Sequence, residues 1–135
     1  MAYLRGATEI AEYVLKNYSG KVVEVGAGFV DDVASRLKPL DVIATDNNSY
    51  SIRGTRIKGD DIFCPRMEIY AGASLLYSIR PPLEVQLAMG ALALKVGADV
   101  LIRPLGDEVA DLPGFARSLV NIGEARFYVF KPINR

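Results

Sequence analysis

The chain alternates between short apolar runs and stretches where apolar residues return every three or four positions. Val22-Val23-Glu24-Val25 closes on Gly26-Ala27-Gly28, and beyond it Val30, Val33, Ala34 and Leu37 keep helical spacing. A short β-branched run bounded by glycine reads as a buried strand, and the later period reads as a helix, from about Val30 to Leu37. Pro39 ends that helix, since the residue before a proline avoids the helical region. Ahead of the strand, Thr8 to Tyr18 carries Ile10, Tyr13, Val14 and Tyr18 on one face. Thr8 caps the start of this amphipathic helix and Ser19-Gly20 stops it. Downstream, Asp41 to Thr45 is a second strand, and Thr55 to Lys58, between Gly54 and Gly59, is a third. Pro65 to Gly72 leaves room for two helical turns at most. Ala73 to Ile79 is a fourth strand, stopped by Arg80-Pro81-Pro82. Leu83 to Val96 is the longest helical pattern, with Gly97 just past its end. Asp99 to Ile102 makes a fifth strand, and the polar loop from Asp107 to Gly114 leaves room for a short helix over Phe115 to Leu119. Leu119 to Ile122 and Arg126 to Phe130, on either side of Gly123-Glu124, suggest a closing antiparallel hairpin.

Strands alternating with helices give an α/β, three-layer, mostly parallel Rossmann-like sheet with right-handed crossovers, expected here as a single domain over residues 1–135. In such sheets ligands bind beyond the carboxyl ends of the strands. Glu24 to Phe29, Asp46-Asn47, Asp60-Asp61, Arg80-Pro81-Pro82 and Arg103-Pro104 all fall at those ends, so one rim collects the unusual residues.

Composition removes several chemistries. The 135 residues contain no histidine and one cysteine, Cys64. Ser-His and Cys-His nucleophile pairs, imidazole metal ligands and an internal disulfide are thereby excluded, and no metal site is expected. Sixteen basic and sixteen acidic side chains cancel, so nothing global attracts a nucleic acid, although one is not excluded. No apolar run approaches membrane-spanning length and Met1 to Gly6 carries no secretory stretch, so a cytoplasmic protein is expected. Cys64, before Pro65, reads as a small buried hydrophobe.

The glycine turn then selects among cofactors. A nicotinamide dinucleotide needs a third glycine three positions after the second, and that position holds Asp31, with Asp32 beside it. Two carboxylates in a first helical turn favour the helix through its dipole but repel a pyrophosphate. A cofactor without phosphate and with a positive sulfonium fits better, namely S-adenosylmethionine. Glu24-Val25-Gly26-Ala27-Gly28 resembles the first motif of class I S-adenosylmethionine-dependent methyltransferases, and Asp46 matches the acidic residue that holds the ribose hydroxyls in that family. Asp60 or Asp61 matches its adenine-side acidic position, with Ile62 as an apolar neighbour. The resemblance covers nearly the whole chain in element order, and the whole also resembles a small, functionally uncharacterised methyltransferase-like family of archaea. It implies a cofactor site made of Glu24, Gly26, Ala27, Gly28, Asp46, Asn47, Asp60, Asp61 and Ile62.

The departures from that family bear on catalysis. Phe29 replaces the third glycine that many members carry and narrows the methionine side. Amino-methylating relatives end the fourth strand with Asn or Asp, two prolines and an aromatic; here the run is Arg80-Pro81-Pro82-Leu83. Arginine is too weak an acid to act as a base, so amine methylation by that mechanism is disfavoured. Arg80 and Arg103 are instead candidates to grip an anionic acceptor, a small molecule or RNA, or else they pair with Glu84, Asp107 or Glu108. Short linkers after the second and third strands leave apolar surface for which a homodimer is the economical cover. The leading expectation is S-adenosylmethionine binding with methyl transfer to an acceptor the sequence does not name. A non-catalytic sensing or assembly module on the same scaffold is the alternative, and an NAD-binding oxidoreductase a weaker one.

Overall fold

The computed structural model describes residues 4–28, 31–47, 50–52 and 55–134. Phe29, Val30 and Asn48 lie outside them. Helix α1 is Ala7–Asn17, α2 is Met67–Tyr70 and α3 is Leu83–Val96. The strands are β1 Lys21–Glu24, β2 Asp41–Asp46, β3 Tyr50–Ile52, β4 Thr55–Gly59, β5 Ala73–Ile79, β6 Asp99–Arg103, β7 Phe115–Ile122 and β8 Ala125–Pro132. They form one sheet in the order β3-β4-β2-β1-β5-β6-β8-β7. The five central strands run parallel, while β3, β8 and β7 are antiparallel to their neighbours.

Side chains on a strand alternate between faces, and here both faces are apolar. Val22, Leu75, Tyr77, Leu101, Phe127 and Val129 face α1, where Ile10, Ala11 and Val14 meet them. Val23, Leu76, Val100, Ile102 and Phe130 face α3, against Met89, Leu92 and Ala93. The expected three layers follow from this alternation. Tyr13 packs edge-on against Phe127, with ring centroids 5.2 Å apart, and Tyr18 donates to Asp99 at 2.6 Å.

Several expectations fail for identifiable reasons. Thr8 does not cap α1; the N-cap is Gly6, with φ 84 and no side-chain cap hydrogen bond. A Cβ at Gly6 would stand 2.8 Å from the Cα of Ala125, so the chain enters α1 pressed against the closing hairpin. No α-helix follows the glycine turn in the described residues, only a 3-10 turn at Ala34–Arg36. Asp31 and Asp32 are not helix-start residues but are buried, at 1% and 5% exposure. Asp32 accepts the Leu4 N–H at 2.6 Å, a contact from a distant part of the chain, and Asp31 O accepts from Ser35 N at 2.8 Å within the turn. Phe115 to Leu119 is strand, part of β7, because it pairs residue for residue with β8. The linker between β2 and β4 holds β3, an unforeseen strand. Parallel neighbours need a crossover of about a dozen residues or more, so residues 47–54 are too few for a helix. The return runs instead along the outer edge of β4.

Gly6→Ala tests the pressed entry. The left-handed φ and the backbone contact together should cost roughly 2–4 kcal/mol, read as a lower thermal midpoint. An unchanged midpoint would show that the hairpin does not bear on α1.

Candidate functional site

The site starts where β1 stops pairing. Thr45 of β2 donates its hydroxyl to the Glu24 carbonyl at 2.9 Å, and Ser78 of β5 donates to the Val25 carbonyl at 2.6 Å. Both hydroxyl residues are buried, at 2% and 1%. Val25 N donates to Tyr77 O and Ala27 N to Thr45 O, both at 2.8 Å, so the turn is fastened to the strands on either side. Between these fixings Gly26 sits at φ 67, a conformation that disfavours a Cβ, and it is exposed.

Beyond the turn, the carboxyl ends of β1, β2 and β4 enclose a cleft of about 500 Å³. Val25, Gly26, Thr45, Asp46 and Asn47 line it from the ends of β1 and β2. Asp60 to Phe63 continue the lining from the adjoining end of β4, where Asp60 N donates to Asp46 O at 2.7 Å, and Val85 reaches it from α3. Gly26, Asp46, Asn47, Asp60, Asp61 and Ile62 are therefore brought together at one cleft. Glu24, Ala27 and Gly28 lie at or below the turn rather than on the cleft lining, and Ala27 is 6% exposed. Thr45, Val25, Phe63 and Val85 also line it, and sequence reasoning did not single them out. Thr45 carried a signal, being a hydroxyl next to Asp46 at a strand end; Val85 carried none.

The carboxylates divide by environment. Asp60 has a side chain only 2% exposed, and it braces the loop. Its Oδ2 accepts from the Tyr70 hydroxyl at 2.6 Å, and its Oδ1 accepts from the Arg66 backbone at 3.1 Å. Burial first, then the Asp60 carboxylate, pushes the Tyr70 hydroxyl pKa up. Asp61 is exposed and its Oδ1 accepts from Phe63 N at 2.9 Å, shaping the loop that carries Ile62. Glu24 is 2% exposed and accepts from the Tyr77 hydroxyl at 2.8 Å. Burial pushes its pKa up to about 8, opposed by the Tyr77 hydrogen bond and assisted by Asp31 and Asp32. Tyr77 is raised as well, chiefly by burial.

Arg80 and Arg103 emerge at the ends of β5 and β6. Among the described residues no ion pair joins these arginines to Glu84, Asp107 or Glu108, and Asp107 pairs with Arg126 at 3.5 Å. Cys64 is exposed rather than buried, closing a bridge with Asp61 at the cleft loop. Among the described residues no group of three or more His, Cys, Asp or Glu could hold a metal ion, and no helix is long and apolar enough to cross a membrane.

Residues 7–132 match the family described as Uncharacterised protein family (UPF0146). The chain belongs to the UPF0146 family. A UPF0146 protein of Archaeoglobus fulgidus is 43% identical over 93% of this chain and 95% of its own length. Another, from Methanothermobacter thermautotrophicus, is 40% identical over 90% and 92%. Among solved structures, an S-adenosyl-L-methionine methyl transferase from Silicibacter pomeroyi superposes with a TM-score of 0.62 at 13% identity, over 93% of this chain and 89% of that one. The glycopeptide N-methyltransferase MtfA, complexed with S-adenosylmethionine, superposes with a TM-score of 0.55 at 11% identity, over 98% and 79%. This UPF0146 chain therefore has the class I methyltransferase fold, and the mostly parallel sheet with its closing hairpin agrees with the expectation from sequence.

The buried carboxyl of this UPF0146 protein has a measurable consequence. Glu24 holds its proton more tightly folded than unfolded, since its pKa rises from 4.5 to about 8. Its stabilising neutral state is fully present below 4.5 and lost as pH rises through about 8. Chemical denaturation at pH 5, 7 and 9 should therefore show stability falling by on the order of 3 kcal/mol from this group. Glu24→Gln should remove much of that slope; an equal slope in the variant would place the titration elsewhere.

Proposed function

We propose that the cleft binds S-adenosylmethionine and that the protein is a methyltransferase. The observation supporting this is the convergence of Gly26, Asp46 and Ile62 on one cleft at the carboxyl ends of β1, β2 and β4. A volume of about 500 Å³ suits a nucleoside-sized ligand. In this reading Asp46 accepts both ribose hydroxyls through charge-assisted hydrogen bonds. Ile62, Val25 and Val85 flank the adenine. Asp60, braced by Tyr70 and Arg66, positions the loop, so the exposed Asp61 is the carboxylate left for the adenine side. Gly26 and Gly28 let the backbone turn close to the cofactor, with Glu24 as a buried prop beneath them. The bound cofactor would supply an electrophilic methyl group. The protein's part is to hold an acceptor in line with it.

Calorimetric titration with S-adenosylmethionine, S-adenosylhomocysteine and NAD tests the reading. Both sulfur ligands should bind and NAD should not. Asp46→Ala should weaken S-adenosylmethionine roughly 10-fold or more. Heat from neither sulfur ligand, or equal affinity in the variant, would sink the assignment.

The same reading includes a homodimer. Leu83, Leu87 and Leu94 are 42%, 47% and 45% exposed and, with Ala91, form a stripe along α3. Glu84 and Lys95 flank opposite ends of that stripe on one side, so antiparallel pairing sets Glu84 of one copy against Lys95 of the other. Light scattering should give twice the chain mass for wild type and a monomer for Leu87→Glu. A monomeric wild type would rule the interface out.

A further inference from the structure

We propose that Arg80 and Arg103 form a binding site for a compact oxyanion, a carboxylate or phosphate group of a small second ligand, beside the cleft. β5 and β6 pair in parallel as far as Ile79 and Arg103, and Arg80 N donates to Arg103 O at 2.6 Å. The two side chains therefore leave the sheet from adjoining strand ends. Ser78, two positions before Arg80, donates to the carbonyl of Val25, which lines the cleft. The pair thus lies alongside the place assigned to the cofactor. The inference rests on the cofactor reading only for the role of the anion, which would be the methyl acceptor.

Three observations carry the site. The first is charge without counter-charge. Among the described residues no ion pair joins either guanidinium to a carboxylate, Glu84, Asp107 and Glu108 included. The second is mutual repulsion: burial, then the charge of Arg80, lowers the Arg103 pKa. Two adjacent cations raise the energy of the protein, and an oxyanion with two acceptor oxygens relieves it, since each guanidinium presents a planar fork of donors. Arg103 spends one donor on the Pro104 carbonyl at 2.6 Å, which orients the remainder. The third is backbone strain. Arg80 sits at φ 56, the one non-glycine residue with positive φ among the described residues. Folding alone would favour glycine there, so the side chain is retained against a local cost. The start of α3 at Leu83, without a side-chain cap, adds the positive end of its dipole nearby. A zero net charge favours a compact anion over a polyanion.

The test uses inorganic phosphate and acetate, each followed by two-dimensional amide NMR in wild type, Arg80→Gly and Arg103→Gln without S-adenosylmethionine. A single-stranded oligoribonucleotide is a third arm. Saturable shifts at Arg80 and Arg103 with phosphate or acetate are expected, at least ten-fold weaker in either variant, and the better anion identifies the ligand group. Arg80→Gly should also raise the thermal midpoint by relieving the positive φ, whereas a structural arginine would lower it. No saturable shift with either anion, a lowered midpoint in Arg80→Gly, or arginine-dependent binding of the oligonucleotide alone would each overturn the proposal. Titration of wild type with S-adenosylmethionine is read separately. Anion binding without cofactor binding would sink the cofactor reading and leave this site standing, and the converse result would do the opposite.

Discussion

A strand that ends inside a sheet leaves carbonyls in the core, and each has to find a donor there. At the end of β1 those carbonyls belong to Glu24 and Val25, and the donors are the hydroxyls of Thr45 and Ser78 from the flanking strands. With the ladder closed in this way, Gly26 can turn the chain outward without stranding a polar group. The buried Glu24 beneath it meets the Tyr77 hydroxyl. The cleft is the space that this early stop opens between β1, β2 and β4, so its position follows from a hydrogen-bonding requirement inside the sheet.

The parallel core was legible because each of its strands is a β-branched or leucine-rich run bounded by glycine or proline. Helix α3 coincided with its pattern at both ends, where Pro82 precedes it and Gly97 follows at φ 78. The stretch after Gly28 was not legible. Val33, Ala34 and Leu37 are buried as their spacing suggests, yet they serve a 3-10 turn. Asp32 is drawn to Leu4, a contact across 28 positions that no local pattern encodes. The first half of β7 read as a short helix for another reason. Its residues from Ala116 to Leu119 are exposed on both faces, so the alternation that reveals a strand is absent. The rim residues of the site could be named from strand ends alone. Which carboxylate braces and which faces the cleft required the positions of Tyr70 and Arg66, and these depend on packing.

Relatives and fold neighbours differ in what they constrain. At 43% and 40% identity over nearly the full length, the archaeal relatives share a family with this chain. At 13% and 11%, the methyltransferases share only the path of the backbone. The path here is sparing in helix. Between β2 and β4 the described residues Tyr50–Ile52 form strand β3, and α2 has four residues. The sheet faces are closed chiefly by α1 on one side and α3 on the other.

Gly6 abuts Ala125, and the adjoining Arg5 and Glu124 form an ion pair across 119 positions. The surface that receives α1 includes Phe127 and Val129 of β8, far along the chain from α1. During synthesis α1 therefore waits, with part of its apolar side uncovered, until β8 has followed. Topology of this kind slows folding by demanding distant contacts before close ones are rewarded. It also makes the nascent chain, more than the finished one, the form most in need of protection from aggregation.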